Sequence, residues 1–347
     1  MMKTSRAGAR SWLQPMLLFL LFGIIILSAG MGYIQISFLE VLKIVISKLT
    51  GDRSFLHGID STLPYVVLEV RLPRILTSAI VGSGLSLAGV VFQGILLNPL
   101  ADPYTLGISA GAAFGASIAL LLGITWLGVY TVPMFAFVGA TATLAAVLLI
   151  SSFDRQTSSN NLILAGIIVS AILSAGVSFI KYVADEQVSI IIFWLMGSFA
   201  SKSWTDVLLT LLFVMLGAGV CFFFARDLNV MSLGDRSASS LGVETNRVRI
   251  VLLVTASLIT AACVSVSGII GFVGLVVPHL MRFLVGPDNR RLVPASILAG
   301  AILLLGADTI TRAVLPSEIP IGVLTALIGG PFFCFIFRRQ RAMRLYG

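Results

Sequence analysis

The sequence predicts an all-α polytopic membrane protein with about ten transmembrane helices. Three observations carry that prediction. Of 347 residues, 58% are hydrophobic and only 11% are charged, against roughly 25% charged in a soluble domain. Mean hydropathy is +1.05. The apolar runs are about 20 residues long, the length of helix that crosses a bilayer, and lack the alternating ten-residue pattern of a membrane barrel.

The first run opens after Pro15 and reaches about Gly32, behind a short basic leader with Lys3, Arg6 and Arg10. It is longer than a signal-peptide core and further spans follow, so it reads as an uncleaved first helix. Residues 33–72 form a largely polar loop with one amphipathic helix on Phe38, Leu39, Leu42, Ile46 and Leu49. Span two covers about 73–97 and ends in the turn Asn98-Pro-Leu-Ala-Asp-Pro103, where prolines and turn-formers leave little choice. Span three, about 105–122, carries Gly107, Gly111 and Gly115 at four-residue spacing, a face that lets another helix come close. Span four covers 132–151, and a short polar loop, 152–161, follows.

Span five, 162–183, has Ser170, Ser174 and Ser178 on one face. Those hydroxyls either line a pathway or bond back to i−4 carbonyls and neighbouring helices. The 190–199 run is too short to cross and reads as interfacial. Spans six and seven cover 207–225 and 250–266. An eighth, short segment over 272–284 holds Pro278 and His279. Span nine covers 293–310 with Asp308 near its end, and span ten follows Pro320 to Phe337.

Between spans six and seven lies a polar interruption, 226–249, reading RDLNVMSLGDRSASSLGVETNRVR. Ser232-x-x-Asp235 suggests a capping box. Ala238 and Leu241 recur at i, i+3, Gly242 suits a left-handed stop, and Thr245 is a plausible N-cap for the next helix. A structured basic knuckle between spans suits docking of a soluble partner, and equally a surface helix that covers its own bundle.

Ten spans put both termini on one side. That side holds fifteen of the 23 lysines and arginines and the other holds eight, so the termini and the knuckle are expected in the cytoplasm. Arg71, Arg74 and Arg312 then face outside. Arg312 has an i, i+4 partner in Asp308, and Arg71 and Arg74 fit interfacial snorkelling. Alternatively, all three catch carboxylates of an external partner, for which Arg is well suited.

Other chemistry is thinly represented. Cys221, Cys263 and Cys334 lie scattered in apolar runs, and His57 and His279 are far apart. Neither set gives a metal-ligand spacing. No GxxxxGK[ST] phosphate loop occurs, and no nucleophile constellation supports an enzyme. The net charge of +8 is distributed over loops and does not imply nucleic acid. His279 beside Pro278 admits two roles, a haem ligand or a hydrogen-bonded helix-end residue.

Several stretches taken together carry a resemblance. They are Arg71-Leu-Pro-Arg74; Gly82 to Asp102 (GSGLSLAGVVFQGILLNPLAD) leading to Leu106-Gly-Ile-Ser-Ala-Gly111; Leu164-Ala-Gly166; and Phe193-Trp-Leu-Met-Gly197. Leu233-Gly234 with Ala238 and Leu241-Gly-Val243 follow, then Gly268 to Arg282 (GIIGFVGLVVPHLMR), Gly306-Ala-Asp308 and Leu315 to Gly322 (LPSEIPIG). In this order they resemble the permease subunits of bacterial ABC importers for iron-siderophores, haem and vitamin B12.

The resemblance implies one transmembrane permease domain, 1–347, multi-pass in a bacterial cytoplasmic membrane. It implies a homodimer over two cytoplasmic ABC ATPase subunits, with an external substrate-binding protein on top. No cofactor is expected on this chain; ATP and Mg belong to the ATPase. ATPase coupling maps onto Leu233, Gly234, Asp235, Ala238, Leu241, Gly242 and Val243, which favours the docking reading of the knuckle. Binding-protein docking maps onto Arg71, Arg74 and Arg312. Pathway exposure maps onto Ser170, Ser174, Ser178 and Thr325, and a cytoplasmic gate onto Ser159 and Asn160. His279 falls in a shared structural stretch, which favours the helix-end role over haem ligation. The rival is an ion-coupled secondary transporter, for which Asp308 is the one clear carboxylate.

Overall fold

The computed structural model describes residues 12–32, 34–151, 159–313 and 318–345, with side chains described as far as 334. Lys3, Arg6, Arg10, Tyr33, Arg155, the 315–317 part of the LPSEIP turn and the side chains of the basic tail lie outside the described residues. Among the described residues there is no strand.

The long helices are α1 (Leu13–Gly30), α2 (Phe38–Thr50), α3 (Leu72–Ile95), α4 (Ile108–Leu121), α5 (Thr131–Ser151) and α6 (Ser159–Val183). The short α7 (Val188–Leu195) precedes α8 (Trp204–Phe223). The knuckle contributes α9 (Ala225–Met231) and α10 (Asp235–Ser240). Then come α11 (Thr245–Ser267), α12 (Val273–Val285), α13 (Asn289–Ala313) and α14 (Ile321–Leu345).

Among the described residues, seven helical stretches are long and apolar enough to cross a membrane; α4, α12 and the described part of α14 are apolar but shorter. The expected eighth segment is short because it is bounded by Phe272 and Gly286, both at left-handed φ. The 33–72 loop is more helical than its polarity suggests. Ser37 and Glu40 close a capping box on α2. Leu63–Tyr65 continues through a π-turn, Val66–Arg71, directly into α3.

Helix α3 is the axis of the bundle. Nearly all of its apolar window is buried, and it packs against α13, α11, α12, α8 and α9. Lipid supplies no hydrophobic force between helices, so close packing must come from small residues. At Gly82 an added Cβ would sit 2.2 Å from the Gly300 carbonyl oxygen, and at Gly89 one would sit 1.9 Å from that of Gly274. These two contacts hold α13 and α12 against α3 with no side chain between them. The glycine face expected on span three works the same way: Gly111 and Gly115 meet Gly139 and the Phe135 carbonyl of α5.

Irregular backbone inside the bundle is satisfied internally, as a membrane interior demands. The Ser198 N–H donates to Ser267 O at 2.8 Å, Ile321 N–H to Gly197 O at 3.2 Å and Gly322 N–H to Met196 O at 3.0 Å. Tyr104 Oη donates to Ile270 O at 2.8 Å. Three of the motif stretches, Phe193–Gly197, Gly268–Arg282 and the end of LPSEIPIG, therefore meet in one knot.

Gly89→Ala places a methyl group inside the Gly274 backbone and is expected to destabilise the fold by about 1–3 kcal/mol or more. Gly23→Ala, with nothing within 4 Å, serves as the control. Thermal unfolding of the two purified variants measures the difference; equal midpoints would show that α3 and α12 do not rely on this contact.

Candidate functional site

The charged side chains gather at the two ends of the bundle. At one end are the three arginines. Arg71 Nη1 donates to Ala29 O at 2.7 Å and Gly30 O at 3.1 Å, and Nη2 donates to Ile34 O. Arg312 donates to Ser28 O at 2.7 Å, Ser28 Oγ at 2.9 Å and Met31 O at 2.8 Å. Both satisfy the carbonyls that the end of α1 leaves without helical partners, where cations are favoured.

Arg74 forks onto Asp308, with Nη2 to Oδ1 at 2.9 Å and Nε to Oδ2 at 3.1 Å. Its remaining Nη1 reaches Glu318 at 3.1 Å. Asp308 is buried and Glu318 is 52% exposed. The pair borders a cavity of about 230 Å³ lined also by Phe193, Ser198 and Thr311.

Two expectations are corrected at this end. Arg312 is not the partner of Asp308, because Asp308 spends its carboxylate on Arg74 from α3. Arg71 and Arg74 do not snorkel; both are buried, since each finds acceptors on another helix.

At the other end, Gly234 at φ 95° starts α10, and Gly242 at φ 87° ends it as expected. Val243 N–H closes the turn onto Ala238 O at 3.1 Å. Ala238 is fully buried, whereas Leu233 and Leu241 on either side are 64% and 65% exposed. The Ser232–Asp235 capping box does not form. Gly234 is the N-cap, Ser232 Oγ donates back to Asn229 O at 2.6 Å, and Asp235 pairs instead with Arg249 of α11 at 2.5 Å. Nor is Thr245 the cap of α11; Glu244 takes that place.

This end also holds a cluster that sequence reasoning missed. Asn229 of α9 donates through Nδ2 to Asp288 Oδ1 at 2.7 Å. Its Oδ1 accepts from the Asn289 N–H and Nδ2, each at 2.8 Å. Partial burial pushes the Asp288 carboxyl up. The Asn229 amide, the Arg290 N–H and the charges of Arg290 and Arg291 outweigh that and hold it below the usual aspartate range. It therefore stays ionised at neutral pH. Nothing in the sequence marks Asn229 apart from any polar residue of a solvent-facing turn.

The remaining site residues are separated. Ser170 donates to Gly166 O at 2.6 Å and Ser178 to Ser174 O at 3.0 Å, the back-bonded alternative. Thr325 of α14 is buried and donates to Gly322 O at 3.1 Å. Helix α6 rests on α4 and α5, and α14 on α12 and α13. Ser159 opens α6 and donates to Ile95 O at 3.1 Å, tying it to the end of α3, while Asn160 is exposed. His279 is buried edge-on against Phe283, with ring centroids 5.1 Å apart. No group of three His, Cys, Asp or Glu side chains suits a metal among the described residues.

A bundle of apolar helices with its charges at the two ends and a structured polar knuckle at one of them is the build of a polytopic membrane protein. The FecCD transport family model matches residues 18–339, and the chain belongs to that family. It is 40% identical over 289 residues to the cobalamin import system permease protein BtuC of Halobacterium salinarum, covering 83% of this chain and 77% of that one. It is 39% identical over 311 residues to the molybdate import system permease protein MolB of Haemophilus influenzae, covering 89% and 90%. A solved metal-chelate type ABC transporter in an inward-facing conformation superposes with a TM-score of 0.82 at 35% identity, covering 95% of this chain and 99% of that one. The resemblance carried by the motifs is thereby borne out: this is a permease of the iron-siderophore, haem and vitamin B12 ABC importer family.

The Arg74–Asp308 pair gives a direct test of how this end is held. Asp308→Ala leaves a buried guanidinium without its main partner and is expected to cost about 3–5 kcal/mol, whereas Arg74→Met with Asp308→Leu recovers most of that. Thermal unfolding in detergent measures both, and equal losses in the single and double variants would contradict the pair.

Proposed function

We propose that the chain is the permease subunit of an ATP-driven importer that takes a metal chelate (an iron-siderophore, haem or cobalamin) from an external binding protein. Two copies form the pathway over two cytoplasmic ABC ATPases in a bacterial cytoplasmic membrane. The chain crosses ten times, with both termini and the knuckle in the cytoplasm. The three short apolar helices complete their crossings through internally satisfied turns.

The observation that carries this reading is the knuckle. Leu233 and Leu241 stand exposed on a segment too polar for lipid, on either side of a short helix whose Ala238 is locked inward. Exposed apolar side chains on a rigid, capped helix suit a groove in a soluble partner. Leu233 to Val243 is the coupling element in this reading, and ATP and Mg are used by that partner. Ser159 and Asn160 sit near the same end as the cytoplasmic gate. Ser170, Ser174, Ser178 and Thr325 line the pathway. The hydroxyls of Ser170, Ser178 and Thr325, already bonded to their own helices, offer cargo few strong contacts, which suits passage without tight binding. Asp308 locked onto Arg74 disfavours the ion-coupled rival, which needs a carboxylate free to exchange protons or sodium.

For docking at the far end, Arg74 is the arginine with an exchangeable partner, because Glu318 is half exposed. Arg71 and Arg312, occupied by carbonyls, present that face and hold α1 in place. A carboxylate of the binding protein takes the place of Glu318 on Nη1. Glu318→Ala should then tighten binding-protein docking to the membrane complex in nanodiscs. Unchanged or weaker docking removes Arg74 from the interface.

The decisive experiment is co-purification from native membranes. A stoichiometric ATPase subunit should accompany the chain and be lost when 233–243 is replaced by a Gly/Ser linker. A lone chain that moves solute in vesicles without ATP would overturn the importer reading.

A further inference from the structure

The knuckle makes a second polar contact with the bundle, and it falls on a helix that reaches the opposite end. Asn229 does not bind the side of α13; it binds its first turn. The Asn289 N–H goes to Asn229 Oδ1 and the Arg290 N–H to Asp288 Oδ1 at 3.0 Å. Two of the N–H groups that a helix start leaves unpaired are thus satisfied by an interlocked Asn229–Asp288 pair.

Helix α13 then runs 25 residues to Ala313, about 37 Å at 1.5 Å per residue. Near its middle, Gly300 and Gly82 touch backbone to backbone, with an added Cβ at either only 2.2–2.3 Å from the other's carbonyl oxygen. That contact fixes the separation of the two helices at this point. At the far end α13 carries Asp308, and through it Arg74 and Glu318. Glu318 lies three residues before α14, whose first N–H groups bond to Gly197 O and Met196 O.

We propose that Asn229 is the positioning residue through which the knuckle moves α13 as a lever pivoting at Gly82–Gly300, with the Arg74–Asp308–Glu318 cluster as its far arm. The side chain touches no cargo; it acts through the start of α13. Leu233 and Leu241 meet the partner, and Asn229 passes the partner's movement on. The inference rests on the permease reading above for its link to ATP, but the lever is a property of this chain alone.

The atoms define a specific test. Asn229→Asp removes the donor and sets two carboxylates against each other. Adding Asp288→Asn removes the repulsion and restores the side-chain pair with the donor on the other side, while the Arg290 N–H, which shares Asp288 Oδ1 with Asn229 in the wild type, loses its acceptor. In the purified permease, hydrogen exchange should quicken in Asn229→Asp at 289–292 and also at Ile321 and Gly322, and the double variant should return Ile321 and Gly322 to wild type. Faster exchange confined to 289–292 would mean a frayed cap without a lever and overturns the inference.

In the complex with its ATPase subunits, Asn229→Asp should keep the ATPase bound. Stimulation of ATP hydrolysis by the external binding protein should fall on the order of tenfold, in the usual range of coupling between sites. The double variant should regain it. Wild-type stimulation in Asn229→Asp, loss of the ATPase subunit, or no recovery in the double variant each contradicts the assignment. A wild-type chain that brings no ATPase refutes the importer reading instead, while the exchange measurement still decides the lever.

Discussion

Backbone-on-backbone contact along α3 is the constraint on which the rest of the structure depends. In lipid, leucine gains little by touching leucine, so helices hold together only where their surfaces fit closely. Gly82 on Gly300 and Gly89 on Gly274 give the closest fit available. They fix the separation of α3 from α13 and α12, and that separation decides which polar groups meet at the ends. Arg74 reaches Asp308 because α13 lies against α3 without intervening side chains. The same closeness brings Gln93 Nε2 of α3 to Leu275 O of α12 at 3.1 Å and Arg282 Nη1 to Gln93 Oε1 at 2.9 Å.

The second constraint is that no polar group in the membrane interior goes without a partner at small cost. It explains why the arginines look inward. A helix such as α1 ends with unpaired carbonyls, and Arg71 and Arg312 supply five donors each in a planar fork. It also explains the serines. Ser170 and Ser178 turn to the carbonyl four residues back. A polar stripe on a helical wheel therefore need not be a polar surface.

The helices and the knuckle were largely legible in the sequence because their causes are local. Apolar runs of crossing length set the long helices, and the bounds differ from the sequence reading by a few residues. Gly242 had to be left-handed to end α10, and it is. What could not be read was the choice between equally good local options. Asp235 suits a cap on Ser232 as well as an ion pair with Arg249, and only the approach of α10 to α11 decides. Asp308 suits Arg312 four residues on as well as Arg74, 234 residues away, and the position of α3 decides. Asn229 carries no local sign at all, because its partners Asp288 and Asn289 arrive from the turn into α13, three helices later.

These long-range choices share a direction. Asp235 and Asp308 each leave a near neighbour for a partner on another helix. A near-neighbour pair would stabilise one helix, whereas a cross-helix pair fixes the relation between two. The ends of α13 are held by pairs of the second kind, Asn229 and Asp288 at one and Arg74 with Asp308 and Arg312 with Ser28 at the other, and its middle by Gly82. A helix gripped in this way ties its two ends to one another through the contact at Gly300. The charges in this chain therefore matter less as a surface field than as the fastenings of one moving part.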